Sequence, residues 1–480
     1  MGVVGMRAAI YTLGCKVNQY ESDALRRQLL EQGYTVMQED GDSDMAATGD
    51  FQPADLYIVN SCTVTHLADR KSRQLIRRLR KEAPDSCIVV TGCYAETDRA
   101  ALSKIAGVDL VAGNLEKPAL IGQIRQLMQE RAGGDTKRPA SPNAADAGRG
   151  NQSGSSLSRV AQAGRRDRAF IKIEDGCDRF CAYCIIPFAR GAVRSRPADE
   201  VIVEAKAVLS AGHREIVLVG INAALYGHDV GDPDALLRLI SDLAELPGDF
   251  RIRLGSLEPN VIDKATAKKL AAIDKLCPHM HLALQSGSDR ILKAMQRRYA
   301  ADDYLAIVRE LKQQDPGYGL TTDIIVGFPG ETEEDFQDTL ALVEKAGFLK
   351  VHAFPFSPRQ GTAAAGLPGR VPAQIVKERM RRLTERSDQV AGTILKTQIA
   401  KQRRVLIEEV DPVAGVAEGY ADNYIRVRIE SKDVAAEWKR NFQTVELDIA
   451  RNRTDKEIWP VCAGTAAMPL MTGRRIIKDD

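Results

Sequence analysis

Three cysteines, Cys177, Cys181 and Cys184, crowd into the stretch EDGCDRFCAYCIIPFARG (174–191) with the spacing C-x3-C-x2-C. The opening segment MGVVGMRAAIYTLGC has no basic stretch leading into an apolar run and a cleavage site. The longest apolar runs, such as CIVVTGC, are strand-sized. A soluble cytoplasmic chain with no membrane anchor is therefore expected. In that reducing setting nine cysteines are ligands, catalysts or buried core residues rather than a disulfide framework. A closed zinc site wants four Cys or His ligands, and no fourth stands close to Cys184. Three thiolates on an iron–sulfur cube instead leave one iron without a protein ligand, whereas electron-transfer clusters usually have four. That open iron can bind a small molecule.

The rest of the chain supplies the frame. Its 480 residues, 44% of them hydrophobic, suffice for two or three domains with cores of their own. A net charge of +2 gives no global field for nucleic acid, so any basic surface is local. The Gly-, Ala-, Ser-, Pro- and Asn-rich run at 131–162 reads as a flexible linker between domains at 6–130 and 163–395, with a third at 396–466. In the first domain the strands AAIYTLG, ADLYIVN and SCIVVTG alternate with helix-like QYESDALRRQLLEQG and the basic LADRKSRQLIRRLRKEAP. That is the pattern of a parallel α/β sheet. Cys15, Cys62 and Cys93 each stand just past the carboxyl end of one strand. Those ends share a side, where open α/β sheets bind ligands, so the three are expected to converge.

The second domain repeats six strand-then-helix units, at AFIKIEDG, EIVLVGIN, RIRLGS, HMHLALQSG, GLTTDIIVGFPG and KVHAFPFSPR. An incomplete (β/α)6 barrel, with its active face at the strand ends, follows. The third domain, with RRVLIEEV, YIRVRIE, TVELDIA and IWPVCAG, reads as a small all-β barrel or sandwich.

The spacing C-x3-C-x-aromatic-C, with Tyr183 before Cys184 at the end of the first barrel strand, resembles the radical S-adenosylmethionine (SAM) enzymes. The resemblance implies that the amine and carboxylate of SAM chelate the open iron. An electron then cleaves the sulfonium, and the resulting radical abstracts a hydrogen atom. The likeness extends to the methylthiotransferases. Cys15 in LGCKVNQYES, Cys62 in VNSCTVT and Cys93 in TGCYAE match the positions that hold that family's second cluster, and the C-terminal domain is similar to its RNA-binding TRAM domain. Implied are two [4Fe-4S] clusters, SAM, a tRNA anticodon stem-loop as substrate, an electron donor such as flavodoxin or ferredoxin, and a sulfur source. TLGCKVNQYES, NSCTVTHLADRKSRQ and FPFSPRQGTAAA look like the branch that methylthiolates threonylcarbamoyladenosine. The isopentenyladenosine branch typically starts Gly-Cys-Gln/Asn-Met-Asn, and the ribosomal-protein aspartate branch Gly-Cys-Pro-Lys-Asn. Other classes stay open: an iron–sulfur carrier or scaffold, which needs neither barrel nor open iron, and a zinc-stabilised RNA-binding protein.

Further residues follow from position or, for Asp323, Gly327, Tyr420, Asn423 and Tyr424, are implied by the resemblance. Gly220, Asn222, Ser256, Gln285 and Ser286 lie at predicted strand ends; with Tyr183, Arg297, Asp323 and Gly327 they are the candidates for contact with SAM. Arg190, Arg194 and Arg196 follow the cysteine loop, and Arg194 and Arg359 are candidates to pair with a substrate carboxylate. The helix carrying Lys71, Arg73, Arg77, Arg78, Arg80 and Lys81 can meet phosphates. Tyr420, Asn423 and Tyr424 in EGYADNYIRVRI are candidates for stacking on RNA bases. Cys87 and Cys277 read as buried apolar residues, Cys462 is left open, and His66, His279, His281 and His352 form no ligand pair.

Overall fold

The computed structural model describes residues 5–37, 53–132, 166–449 and 470–475. The expected linker, from residue 133 onward, lies outside them. No helix among the described residues is long and apolar enough to cross a membrane.

The first domain is built on five parallel strands: β1 (Arg7–Thr12), β2 (Thr35–Val36), β3 (Leu56–Ser61), β4 (Cys87–Gly92) and β5 (Leu110–Ala112), in the order β2-β1-β3-β4-β5. Every residue of β3 and β4 is buried, as sheets covered on both faces require. On one face lie Leu25 and Leu29 of α1 (Lys16–Glu31), together with Ile58, Cys87 and Val89. On the other lie Leu75, Ile76 and Leu79 of α2 (His66–Glu82), with Tyr57, Val59 and Ile88. Thr65 starts α2 because its hydroxyl accepts the Ala68 N–H, at 3.2 Å. Cys87 is thus a core residue, as is Cys277.

The second domain carries β6 (Ala169–Lys172), β7 (Glu174–Asp175), β8 (Arg194–Ser195), β9 (Glu215–Val219), β10 (Arg251–Leu254), β11 (Ser256–Leu257), β12 (His279–Leu282), β13 (Gly319–Val326) and β14 (Lys350–Pro355). Two parallel sheets, β6-β9-β10 and β11-β12-β13-β14, join through Gly255 and form the expected incomplete barrel. β7 and β8 pair antiparallel and bracket the cysteine loop. Ile216 and Leu218 of β9 pack outward on the helices. Val217 and Val219 pack on Phe170 and on Tyr20 of α1. The N-terminal domain therefore packs through α1 on the β6–β9 side of the open barrel.

The third domain is a closed barrel of β15 (Gln402–Asp411), β16 (Val416–Ala421), β17 (Arg426–Glu430), β18 (Phe442–Ile449) and β19 (Leu470–Arg475), ordered β15-β16-β17-β19-β18. Closure leaves no free strand edge. The strand that completes it lies past the boundary expected at 466, and the strand expected at IWPVCAG falls outside the described residues.

This barrel docks on the amino ends of β9 and β10. Glu215, fully buried, accepts from Arg251 Nε at 2.6 Å and Arg253 Nε at 2.7 Å. The two guanidinium groups also donate to the carbonyls of Arg404, Tyr420, Ala421 and Asp422. Burial pushes the Glu215 carboxyl up, but Arg253 and Arg251 prevail and hold it far below the usual range. Its contribution to stability is therefore present above the ordinary carboxylate pKa and is lost only as pH falls through the lowered folded value, in strong acid. Glu215→Gln leaves two buried cations uncompensated. It should cost about 3–5 kcal/mol in urea denaturation at neutral pH; an unchanged midpoint would refute this account.

Candidate active site

Cys15 follows β1, Cys62 follows β3 and Cys93 opens α3 (Cys93–Thr97) directly after β4. Their three strands are neighbours, so the thiols meet at one end of the sheet. The contact is close at Gly14, whose φ is +110°: a Cβ there would come within 2.7 Å of Cys62 Cβ and 2.9 Å of its Sγ. Asn18, on the first turn of α1, bonds the carbonyls of Leu13 and Ser61 and ties the Cys15 and Cys62 loops together. Cys15 is exposed at the rim, and local desolvation raises its thiol against the nearby Arg190 charge. Burial pushes Cys62 up to about 12, with the charges of Cys93 and Cys15 adding to the rise.

The second triad sits in the loop between β7 and β8. Cys177 N–H donates to Gly191 O at 3.0 Å, Cys184 N–H to Cys181 O at 2.9 Å, and Ala182 N–H to Met295 O at 2.9 Å. Burial pushes the thiols of Cys177 and Cys184 up to about 12, and each also feels the charge of Cys181. Arg297 Nη1 donates to Cys181 Sγ at 3.2 Å and pairs with Glu258 at 3.1 Å. Asn222 Nδ2 donates to the same carboxylate at 2.9 Å. Gly220 approaches Glu174 so closely that a Cβ would lie 2.5 Å from Oε2. Glu174 is buried, accepts the Asn222 N–H at 3.0 Å, and is pushed up to about 8 by burial.

Each donor set offers three thiols, the donor chemistry that an iron–sulfur cube takes. Among the described residues no group of three Cys, His, Asp or Glu is close enough to share one metal ion. The thiolates of a cube sit on separate irons and are spread wider. A bound metal's positive charge would favour the thiolate form at Cys62, Cys177 and Cys184, whose thiols burial raises.

Arg190 joins the two triads. It closes α4 (Ile186–Arg190) and is 1% exposed. Its Nε donates to Cys93 Sγ at 3.3 Å, Nη1 to Glu21 at 2.7 Å and Asp175 at 3.1 Å, and Nη2 to Asn18 Oδ1 at 2.6 Å. Burial pushes the Glu21 carboxyl up, but Arg190, Lys117 and Lys172 overcome this and hold it well below the usual range. At the other end of the barrel face, Arg359 pairs with Asp69 at 2.7 Å and bonds Thr63, beside Cys62. The N-terminal domain thus grips loops from both the first and the last barrel unit, with its triad at the barrel mouth.

The remaining expected residues divide. Asp323 bonds His281 Nε2 at 3.2 Å; burial raises its carboxyl, but the His281 bond prevails and lowers it. Gln285 adopts φ +67° and bridges to β13 through Asp323 O and Ile325 N–H. Gly327 N–H donates to Glu331 at 2.9 Å. Ser256 is exposed at a strand end and Tyr183 is half-buried. Expectations for five residues are corrected. Ser286 is buried against Thr339, facing a barrel helix. Arg359 already has a carboxylate partner. Asn423 is buried, its amide donating to Gly317 O at 3.0 Å, because it lies on the docking face of the third domain. Tyr424 stacks on Tyr420 and lies against His279 and Arg168 in that same joint, so neither ring stands free for a base. Arg194 is half-exposed, donating to the carbonyls of Arg190 and Ala192. Glu21, Glu174 and Glu258 were missed; Glu258 alone carried a signal, two residues past Ser256 at a strand end. A cleft lined by Leu209–Arg214, Pro247–Phe250 and Lys439–Asn441 lies at the amino-end joint, away from both triads.

The six-unit barrel with its three-cysteine loop defines a radical SAM enzyme, and residues 171–343 match the Radical SAM superfamily. Residues 7–113 match an uncharacterized protein family, UPF0004. The chain is 38% identical over 440 residues to the threonylcarbamoyladenosine tRNA methylthiotransferase MtaB of Bacillus subtilis, spanning 87% of this chain and 89% of that one. It is 39% identical to the MtaB of Thermotoga maritima, over 87% and 90%. It is 35% identical to a tRNA-2-methylthio-N(6)-dimethylallyladenosine synthase of Acetivibrio thermocellus, over 83% and 80%. Among solved structures, the radical SAM methyltransferase TsrM of Kitasatospora setae shares the fold, with a TM-score of 0.53 at 16% identity over 75% of this chain and 77% of that one. This chain belongs to the radical SAM methylthiotransferase family and is a transferase that uses SAM and a [4Fe-4S] cluster.

Arg190→Lys keeps the charge but loses the planar fork that serves four partners at once. Losing charge-assisted bonds worth about 1.5–3 kcal/mol should speed amide hydrogen exchange in α1 and α3 by about tenfold or more. Unchanged exchange would show that Arg190 does not clamp the domains.

Proposed function

We propose that this protein converts threonylcarbamoyladenosine beside the anticodon of tRNA to its 2-methylthio derivative. The observation that carries the reading is the meeting of two three-thiol sites at one barrel mouth. A carrier or scaffold has no need of the barrel. The substrate is supported by the names of the relatives at 38% and 39% identity.

Cys177, Cys181 and Cys184 would hold the SAM-binding cluster, and Cys15, Cys62 and Cys93 a second [4Fe-4S] cluster. When bound, these groups would supply one-electron sulfonium cleavage, hydrogen abstraction from the adenine, and the sulfur that takes its place. The protein's part is positioning. Arg297, Glu258 and Asn222 form a fixed polar chain beside Cys181, suited to orient the charged end of SAM. Tyr183, Gly220, Ser256, Gln285, Asp323 and Gly327 complete its proposed surroundings. Arg190 holds Cys93 against the barrel loop, which keeps the sulfur site within reach of the adenine. An electron donor such as flavodoxin or ferredoxin, and a sulfur source, are required partners. A cytoplasmic setting suits both them and the tRNA.

Lys16 takes over the role first expected of Arg359. Its ammonium has no ion pair among the described residues. It follows Cys15 and lies within electrostatic reach of Asp323, His352 and Tyr424. The threonyl group carries a carboxylate that the isopentenyl group lacks, so a cation there separates the two substrates.

Anaerobically reconstituted protein should hold about twice the iron of a Cys177→Ala, Cys181→Ala, Cys184→Ala variant, following one cube per triad. Removing Cys15, Cys62 and Cys93 should leave SAM cleavage intact and abolish methylthio product; retained product would overturn that assignment. With tRNA carrying each modified adenosine at matched salt, the threonylcarbamoyl form should be preferred. Lys16→Gln should shrink the preference by about tenfold or more, the worth of one charge-assisted bond. Preference for the isopentenyl form would overturn the substrate reading and leave the reaction class standing.

A further inference from the structure

Phe180 and Phe188 are large aromatic side chains in the cysteine loop and the helix after it, yet they are 53% and 55% exposed. Their ring centroids lie 5.8 Å apart with the planes at 79°, so they form an edge-to-face step open to solvent. Phe180 has φ +47°, the left-handed region that a bulky residue rarely enters. A Gly or Asn would make this turn with less strain, so the turn alone does not account for the ring.

The surroundings are basic. The bond from Ala182 N–H to Met295 O lays the segment 293–298 alongside the loop, and Lys293 and Arg298 are exposed there without ion pairs among the described residues. On the other flank the Arg194 side chain is 48% exposed, 3.6 Å from the largely buried Asp175. A second acid, Asp178, lies 3.6 Å from Arg179. Asn114 Nδ2 donates to Ala189 O at 2.8 Å and brings exposed Leu115 to the same rim. Single rings set among cations differ from the continuous apolar centre of a protein–protein contact, and they match single-stranded nucleic acid: bases stack on aromatic faces while cations meet the phosphates.

We infer that Phe180 and Phe188 form a stacking platform for unpaired RNA bases flanking the adenosine that is modified. This rests on the tRNA reading above and relocates base stacking from the C-terminal barrel to the rim of the SAM-binding loop.

The test uses the full, cluster-loaded protein and an anticodon stem-loop carrying 2-aminopurine at each loop position next to the target adenosine, at fixed salt. Parent protein should change the fluorescence at one or two positions on binding. Phe188→Ala and Phe180→Ala should each abolish that change and weaken binding about tenfold. Phe188→Trp should restore both, and duplex RNA should bind all forms alike. Iron content checks that the loop still forms; Phe188, outside the cysteine run, gives the variant less prone to disturb it. Equal binding and equal fluorescence in parent and both alanine variants would overturn the inference while leaving the tRNA reading intact. If the parent itself bound no stem-loop, both would fall. If the variants kept RNA binding but lost SAM cleavage driven by a flavodoxin, and not by dithionite, the rings would be a reductant-docking surface and the inference would be wrong.

Discussion

One buried guanidinium sets the geometry on which the rest depends. Arg190 is almost wholly out of water, and a cation there is tolerable only when several acceptors surround it. Those acceptors come from separate pieces of chain: Asp175 beside the barrel loop, Asn18 and Glu21 on α1, and the Cys93 sulfur at the end of β4. Satisfying one side chain therefore fixes the N-terminal sheet against the barrel to within hydrogen-bond tolerance. The two triads inherit that alignment. Lys117 and Lys172 share Glu21 with Arg190, so the carboxylate is charged and central, and separating the domains would strip it of Arg190 and Lys172.

The incomplete barrel explains why such a joint exists. Six strands leave an open edge, and an exposed edge strand is a liability. Tyr20 of α1 packs beside Phe170, Val217 and Val219 on that side of the barrel, its hydroxyl donating to Glu204 at 3.1 Å. The opposite end of the barrel is sealed by a second buried network, Glu215 with Arg251 and Arg253, whose remaining donors take carbonyls of the third domain. One charge network thus organises the reactive end, and another anchors the β-barrel at the far end. That division also explains why Asn423 and Tyr424 serve structure: they lie where the β-barrel meets the radical SAM barrel.

Much of this was legible in the sequence. Strand-sized apolar runs alternating with amphipathic helices can form only parallel α/β layers, and residues after parallel strands share a side. The convergence of Cys15, Cys62 and Cys93, the six barrel units, and the placement of Asn222 and Gln285 just past strand ends all follow from local periodicity. The cysteine loop is local too, since its spacing is set by the few residues between Cys177 and Cys184.

What only the tertiary structure decided are the partners of the charged residues. Nothing near Arg359 in the chain shows that Asp69, far away in sequence, will neutralise it, or that Arg190 rather than Arg194 will be buried. A charge finds its counter-charge through domain docking, and sequence periodicity carries no record of which faces dock. The same reason separates the aromatics. Tyr424 and Phe180 look alike as exposed-loop aromatics in sequence; contacts with Tyr420, His279 and Arg168 at the domain joint half-bury the first, and a left-handed turn holds the second in solvent. The sequence determined the elements and the identity of the thiols. The packing of three domains determined which polar groups are buried in structural networks and which stay accessible, because desolvation energies depend on neighbours that no local stretch contains.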